Sequence, residues 1–274
     1  MLRIAAIEFL NAAPLMWGLE GDARFAMFHT LPSACADALR EGSAELGVIP
    51  AIELARIPDL VALDGMGVAS GTAPEAEVRS ILLISRGEPA EIRRVALDRA
   101  SRTSAALAQI LLRRRWRADG VPVEGDADWR RGLELADAAL VIGDPALRLR
   151  ISGEAEAEGF RVMDLAREWR AWTGLPFVFA LWGVRREAWE RSRGWLEERL
   201  RRALREGLEH REELVTAWAP RLRLPDGEVR RYLADNVVHE LEPAHIAGLR
   251  RFWELAAAEG LLPRDAAWPL EASA

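Results

Sequence analysis

The sequence predicts an α/β protein built from two lobes, and three observations lead to this prediction. Residues 1–86 and residues 93–179 each alternate short apolar strand segments with helix signals, so they form two units of similar size. The apolar run 177–183 then returns as a strand, and after it the chain is helical almost to its end. With 274 residues, half of them hydrophobic, the chain is long enough for two domains.

The first unit contains five strand-like runs and two helix candidates. The strand candidates are Arg3–Phe9, Arg24–Thr30, Leu46–Ile49, Leu60–Leu63 and Ser80–Ser85. The helix candidates are Leu15–Glu20 and Ser33–Glu41. The second helix has Pro32 at its start and Gly42 just past its end, which is the usual asymmetry of helix ends.

The second unit repeats the alternation, and a helical tail follows it. Its predicted elements are the strand Arg94–Leu97, the helix Ala105–Arg117, a strand near Val121–Glu124, a helix near Trp129–Leu135, the strand Ala138–Ile142, a short helix started by Gly143-Asp144-Pro145, the strand Arg161–Leu165 and the segment Glu168–Thr173. After the strand Phe177–Gly183, apolar residues at helical spacing predict a long helix over Arg186–Leu208. Shorter helices are predicted near Glu212–Trp218, Asp226–Asp235 and Pro243–Ala258.

This order of elements predicts how the lobes divide. We assign residues 1–86 and about 180–274 to the first lobe and residues 87–179 to the second. The connections near Ser85-Arg86 and Ala180-Leu181 then form a two-strand hinge. This is the architecture of type II periplasmic binding proteins, in which ligand sits in the cleft between the lobes and hinge closure buries it. A single doubly wound sheet with a helical tail is the structural alternative.

Composition excludes several classes of protein. The net charge is −6, which argues against nucleic acid as a partner. The sequence contains no lysine, so a covalently held pyridoxal phosphate is excluded, and Cys35 is the single cysteine, which leaves no intrachain disulfide. No apolar run approaches ~18 residues and no leader is visible, so we expect a cytoplasmic protein without a membrane span. The oligomeric state is not predicted.

Asn11 stands where the first strand gives way to a helix. The segment Phe9–Pro14 follows the apolar run Ile4–Ile7, so we expect the strand to end on Asn11 and a helix to begin around Pro14. Such a junction exposes backbone N–H groups and a neutral amide at the carboxyl end of a strand, where open α/β folds bind small anions. The alternative is a capped turn that binds no ligand.

Ser101-Arg102-Thr103-Ser104 is a second candidate anion site. We expect Ser101 to cap a helix, so that the N–H groups of Thr103 and Ser104 point outward at the positive end of the helix dipole. Arg102 would add a bidentate contact to a carboxylate. The alternative is an ordinary polar N-cap with Arg102 in solvent.

Gly143 and Asp144 follow another predicted strand and form a third candidate site at a strand end. Asp144 would accept a hydrogen bond from a hydroxyl or orient a neighbour, and a simple turn is the alternative.

The glycine-rich segment Gly65–Gly71 superficially resembles a dinucleotide loop, but no amphipathic helix follows it and the spacing is wrong. The four histidines lack metal-ligand spacing, and we expect His239 at the surface or in helix packing. No metal and no cofactor is therefore predicted.

Five stretches in order resemble the menaquinone-biosynthesis chorismate dehydratase family of the futalosine route, the MqnA type. They are Phe9–Leu15, Glu45–Pro50, Ser101–Ser104, Ile142–Leu147 and Glu168–Ala180. The resemblance spans about residues 3–183. A sister enzyme with the same fold usually reads Ser-Pro-Cys-Pro-Asn-Asp in its first loop, so Phe-Leu-Asn-Ala-Ala-Pro favours the dehydratase. The family often has Thr or Cys where Ala12 stands, a departure that leaves Asn11 in place.

The resemblance implies a type II binding-protein fold and an enzyme, a hydro-lyase, that acts on chorismate, a small anionic substrate. The family converts chorismate to 3-[(1-carboxyvinyl)oxy]benzoate and water without metal or organic cofactor. By the same resemblance, Asn11 would act in catalysis by holding the substrate hydroxyl or carboxylate, and Ser80 would hold the ring carboxylate or its neighbour. The turns at 101–104 and 143–144 would hold the rest. The matched segments contain no His or Glu suited to act as base, so we hypothesise that the substrate's enolpyruvyl carboxylate takes the proton.

Two other functions fit parts of the sequence. A non-catalytic solute-binding protein for a small aromatic or dicarboxylic acid would share the fold and the anion loops. The ligand-sensing half of a transcription regulator is the second alternative, but no helix-turn-helix precedes the first strand and the charge is acidic. The five stretches favour the enzyme.

Overall fold

The computed structural model describes residues 1–125, 127–263 and 270–271. Its strands are β1 (Leu2–Ile7), β2 (Phe25–Thr30), β3 (Leu46–Pro50), β4 (Leu60–Ser70), β5 (Ile81–Ser85), β6 (Arg94–Asp98), β7 (Val121–Gly125), β8 (Ala138–Ile142), β9 (Arg161–Asp164), β10 (Val178–Arg185), β11 (Val237–Glu240) and β12 (Leu270–Glu271). Its α-helices are α1 (Pro32–Glu41), α2 (Arg102–Ile110), α3 (Trp129–Leu135), α4 (Gly143–Ser152), α5 (Glu154–Ala157), α6 (Leu165–Thr173), α7 (Arg186–Glu209), α8 (Arg211–Leu222), α9 (Asp226–Arg231) and α10 (Pro243–Ala258). Short 3₁₀ helices cover Leu10–Met16, Ala51–Ala55 and Pro89–Glu91, and π-helical turns cover Leu111–Arg115 and Tyr232–Asn236.

Among these residues the strands form two sheets, one in each lobe. The first sheet has the order β11-β4-β10-β3-β1-β2, with β12 pairing with β4. The second has the order β7-β6-β8-β5-β9. Parallel pairs occur in both sheets, and their central strands β3 and β8 are buried along their whole length. The two-lobed α/β prediction is therefore confirmed, and the single doubly wound sheet is wrong.

The boundary between the lobes differs from the predicted one at strand β5. The prediction places residues 1–86 in the first lobe, but β5 pairs with β8 and β9 and lies inside the second sheet. All five residues of β5 are buried. A short apolar run fits the middle of either sheet equally well, so its composition does not indicate which strands it pairs with.

The chain crosses between the lobes in the segments 71–80 and 174–177. The first follows β4 and the second precedes β10, and these two strands are neighbours in the first sheet. Ser70 ends β4, and its N–H donates to the carbonyl of Phe177 at 2.9 Å, while the Phe177 N–H donates to Ser70 Oγ at 3.0 Å. His245 Nε2 of α10 donates to the Ser70 carbonyl at 3.1 Å. The two connections between the lobes therefore lie next to Ser70 and Phe177 and not at Ser85 and Ala180 as predicted, and their action as a hinge stays a prediction.

Strand β4 is longer than predicted because two glycines that read as a loop lie within it. A Cβ atom added to Gly67 would stand 2.6 Å from the carbonyl oxygen of Ala180 on the neighbouring strand, so the close approach of these strands requires glycine. The longer β4 then pairs with β11, which the sequence did not predict. Strand β11 brings His239 into the first sheet, where its side chain is buried.

The Asn11 junction also differs from the prediction. Strand β1 ends at Ile7, and a 3₁₀ helix runs from Leu10 to Met16 with Phe9 as its cap residue. Asn11 therefore lies inside this helix and does not cap it. The predicted α-helix Leu15–Glu20 is absent, and its residues lie at the end of this 3₁₀ helix and in the turn after it. Within the described ranges, no helix is long and apolar enough to cross a membrane.

Candidate active site

A small cavity lies between the two lobes and collects several of the predicted site residues. It measures about 30 Å³, which is space for about one water molecule. The first lobe lines it with Ile7, Phe9, Asn11, Pro32, Pro50, Val68, Phe179 and Ala180, and the second lobe with Ile81, Ser101, Ser104, Ile142 and Gly143. The lobes touch around this cavity, an arrangement that we call closed, and a ring-sized ligand does not fit in about 30 Å³, so we expect it to enter only when the lobes separate.

The N-terminus of α2 forms the polar wall of this cavity. Ser101 caps the helix as expected, because its Oγ accepts a hydrogen bond from the Ser104 N–H at 3.3 Å and donates to Ser104 Oγ at 2.7 Å. The first-turn N–H groups of a helix have no partner within it and carry the positive end of the dipole. Thr103 does not line the cavity, since its Oγ1 accepts a hydrogen bond from the Ile52 N–H of the first lobe at 3.2 Å.

Arg102 has different partners from the one we expected. Its guanidinium binds Asp37 of α1 at 2.7 Å and Glu53 at 3.0 Å, both in the first lobe, and it does not line the cavity. The Glu53 carboxylate is fully buried and is also bound by Arg40 and Arg56. A buried carboxylate requires such charged partners. Arg102 therefore ties the start of α2 to the first lobe in the closed arrangement and is not free to bind a substrate carboxylate.

The backbone of Asn11 is held by a buried histidine. His239 Nε2 donates to the Asn11 carbonyl at 2.8 Å. Burial lowers the pKa of His239 to about 4, so the ring is neutral near neutral pH and its single proton lies on Nε2. The prediction that His239 lies at the surface or in helix packing is therefore wrong, because it is buried in strand β11. The sequence carried no signal for this contact, because the two residues are distant in the chain and β11 was not predicted.

Ser80 is fully buried behind the cavity. Its Oγ accepts a hydrogen bond from the hydroxyl of Tyr232 at 2.8 Å, and its carbonyl accepts one from the Gly143 N–H at 2.7 Å. The Asn11 side chain lies near the same Tyr232 hydroxyl. Sequence reasoning missed Tyr232, because it lies in the predicted helix Asp226–Asp235, outside every stretch that indicated a site.

Gly143 and Phe9 meet across the two lobes. Gly143 opens α4 with a backbone φ of 67°, and a Cβ atom there would lie 2.7 Å from the nearest atom of the Phe9 ring. Positive φ and close approach both favour glycine over any other residue. The ring of the first lobe therefore closes directly onto the backbone of the second.

Asp144 lies next to this contact but outside the cavity lining. Its Oδ1 accepts a hydrogen bond from the Leu10 N–H of the first lobe at 3.1 Å. Burial raises the pKa of Asp144 to about 6 from its ordinary value of 3.8, because the charged carboxylate is poorly solvated there. Asp144 accordingly holds the 3₁₀ helix of Asn11 in place. Among the described residues, no three His, Cys, Asp or Glu side chains lie close enough together to bind a metal ion.

We expect Asp144→Asn to change how stability depends on pH. A carboxyl group whose pKa is raised on folding stabilises the protein below its unfolded pKa, and this contribution is lost as pH rises through the folded pKa. Relative to the variant, the wild type should therefore lose stability between about pH 4 and pH 6, by up to about 3 kcal/mol. Melting temperatures of both proteins across this range measure the difference. A difference that is the same at both ends of the range would contradict the prediction.

Two sequence comparisons indicate the family of this chain. The sequence model of the family described as menaquinone biosynthesis matches residues 2–258, a range that includes every residue lining the cavity. A chorismate dehydratase of Thermus thermophilus is 31% identical in an alignment that covers 90% of this chain and 92% of that protein.

Solved structures show the fold. A protein of Archaeoglobus fulgidus superposes with a TM-score of 0.75 at 18% identity, over 95% of this chain and 98% of that chain. The periplasmic aliphatic sulphonate binding protein of Escherichia coli gives a TM-score of 0.65 at 18% identity, over 100% of this chain and 94% of that chain. The type II periplasmic-binding-protein-like fold is thereby confirmed. Together with the sequence matches, this shows that the chain belongs to the menaquinone-biosynthesis chorismate dehydratase family.

Proposed function

We propose that the protein is a hydro-lyase that converts chorismate to 3-[(1-carboxyvinyl)oxy]benzoate and water in the futalosine route to menaquinone. One observation carries the proposal. Asn11, Ser101, Ser104 and Gly143, which lie in three of the matching stretches, line one cavity between the two lobes. The relative named chorismate dehydratase supports the choice of substrate.

The charges and polar groups of the cavity suit a small anion with a hydroxyl group. The N-terminus of α2 offers the positive end of its dipole and the hydroxyl groups of Ser101 and Ser104 to a carboxylate. The Asn11 amide can both donate and accept, so it can orient a hydroxyl or a carboxylate. The rest of the lining is apolar and includes Phe9 and Phe179, which can pack against a ring. Closure would place the reacting carbon atoms in a dry, preorganised site.

The reaction requires one C–H bond and one C–O bond to break. The ring loses a proton from one carbon and the hydroxyl group from its neighbour, water leaves, and the ring becomes aromatic. The side chains that line the cavity in the described chain include no carboxylate and no imidazole. This supports the hypothesis that the substrate's enolpyruvyl carboxylate takes the proton. The protein would then contribute orientation and electrostatic stabilisation.

The purified protein should turn over chorismate without added metal and be insensitive to chelator. The lining offers hydrogen-bond donors rather than metal ligands, so we expect equal rates with and without EDTA. Mass spectrometry and the ultraviolet spectrum of the aromatic enol ether measure the product. Binding of chorismate without conversion would favour the solute-binding alternative. A strict metal requirement would contradict the proposal.

A further inference from the structure

One face of the helical segment 228–236 contacts residues 77–80, which belong to the segment that crosses between the lobes. Glu228 of α9 binds Arg79 at 2.9 Å, Tyr232 donates to Ser80 at 2.8 Å, and Asn236 Nδ2 donates to the carbonyl of Glu77 at 3.0 Å. The three tail residues are spaced four apart, so they lie on the same side of the helix.

The middle contact of this face differs from the two outer ones because it reaches the site. Tyr232 is 1% exposed, its hydroxyl donates to Ser80 Oγ, and the side chain of Asn11 lies near the same hydroxyl. Ser80 in turn accepts the Gly143 N–H. The Tyr232 hydroxyl therefore lies close to Asn11, which lines the cavity from the first lobe, and bonds Ser80, whose carbonyl holds the Gly143 backbone that lines it from the second.

The chemistry of the phenol suits a fixed connector. A tyrosine hydroxyl has one proton and can accept as well, so it can donate to Ser80 and accept from the Asn11 amide at the same time. Burial raises the pKa of Tyr232 above its ordinary value, so the hydroxyl keeps its proton throughout the physiological range. Tyr232 also begins a π-helical turn, a feature found frequently at functional sites.

We propose that Tyr232 is a positioning residue for the reaction, because its hydroxyl sets the Asn11 amide and the Ser80 hydroxyl in register when the lobes close. The residue does not line the cavity and acts through its two neighbours. This proposal rests on the proposed function, since the reaction it serves is the dehydration of chorismate.

Tyr232→Phe removes the hydroxyl and keeps the buried ring. We expect kcat to fall by ~10-fold or more, the scale of one lost hydrogen bond, with a smaller change in KM. Ser192→Ala is the matched control, because it also removes a buried hydroxyl, in α7, that bonds only a carbonyl of its own helix. The melting temperature should fall by a similar amount in both variants, and kcat should fall only in Tyr232→Phe.

A double-mutant cycle with Ser80→Ala tests whether Tyr232 acts through Ser80. If it does, Tyr232→Phe should cost much less in the Ser80→Ala background than in the wild type. Losses of kcat that multiply in the double variant, or an unchanged kcat in Tyr232→Phe, would overturn the proposal.

A measurement independent of activity separates this proposal from the proposed function. Hydrogen exchange of the free protein should speed up at the Gly143 amide and in the segment 9–16 in Tyr232→Phe, and not in Ser192→Ala. If the wild type makes no product from chorismate, the proposed function fails and the exchange experiment still decides the positioning role. Unchanged exchange at both places would overturn that role.

Discussion

An Asn11→Asp variant is expected to lose turnover by ~100-fold or more while it stays folded. The side chain lines the cavity, and the substitution removes both amide donors and adds negative charge beside an anionic substrate. Loss of a preorganised donor costs a factor of about 10² to 10³ in kcat. The fold should survive because the residue is held by its backbone carbonyl, which bonds His239, and because its side chain caps no helix.

Gln109→Glu is the control for this substitution. It makes the same change from amide to carboxylate on α2, where the side chain bonds a carbonyl of its own helix outside the cavity. The measurements are kcat and melting temperature on the same preparations. If Asn11→Asp unfolds the protein while activity per folded molecule stays normal, Asn11 has a structural role only.

Gly143→Ala is expected to lower kcat/KM by ~10- to 100-fold, because it opposes closure of the lobes. The new methyl group would lie 2.7–2.9 Å from three atoms of the Phe9 ring, which belongs to the other lobe. Overpacking of this kind costs about 1–3 kcal/mol, and here the cost falls on the closed arrangement. The free protein should remain folded with its lobes further apart, which small-angle X-ray scattering can detect.

Gly153→Ala is a matched control because it has the same backbone strain without the contact. Gly153 has a φ of 63°, and nothing lies within 4 Å of the position that its Cβ atom would take. Both variants should lose about 1 kcal/mol of stability from the left-handed backbone. Only Gly143→Ala should also lose kcat/KM, and equal losses in both variants would show that strain, and not Phe9, causes the defect.

Much of the local structure was predictable from short stretches of sequence. The cap at Ser101, the start of α1 at Pro32 and the strand β8 followed by the turn at Gly143 all depend on residues a few positions apart. The stretches that resemble the family are also local, and they identified Asn11, Ser101, Ser104 and Gly143, which the structure brings to one cavity.

What the sequence determined by itself was therefore the two-lobed α/β fold, most of its elements and the segments that line the cleft. Tertiary structure alone decided that β5 joins the second sheet, that Arg102 binds Asp37 and Glu53, and that Tyr232 reaches Ser80. The physical reason is how far apart along the chain the interacting residues lie. Caps, turns and periodic apolar faces are set by neighbours in the chain, whereas strand pairing and contacts between lobes join residues that the chain separates widely, and their partners become definite only when both lobes are packed.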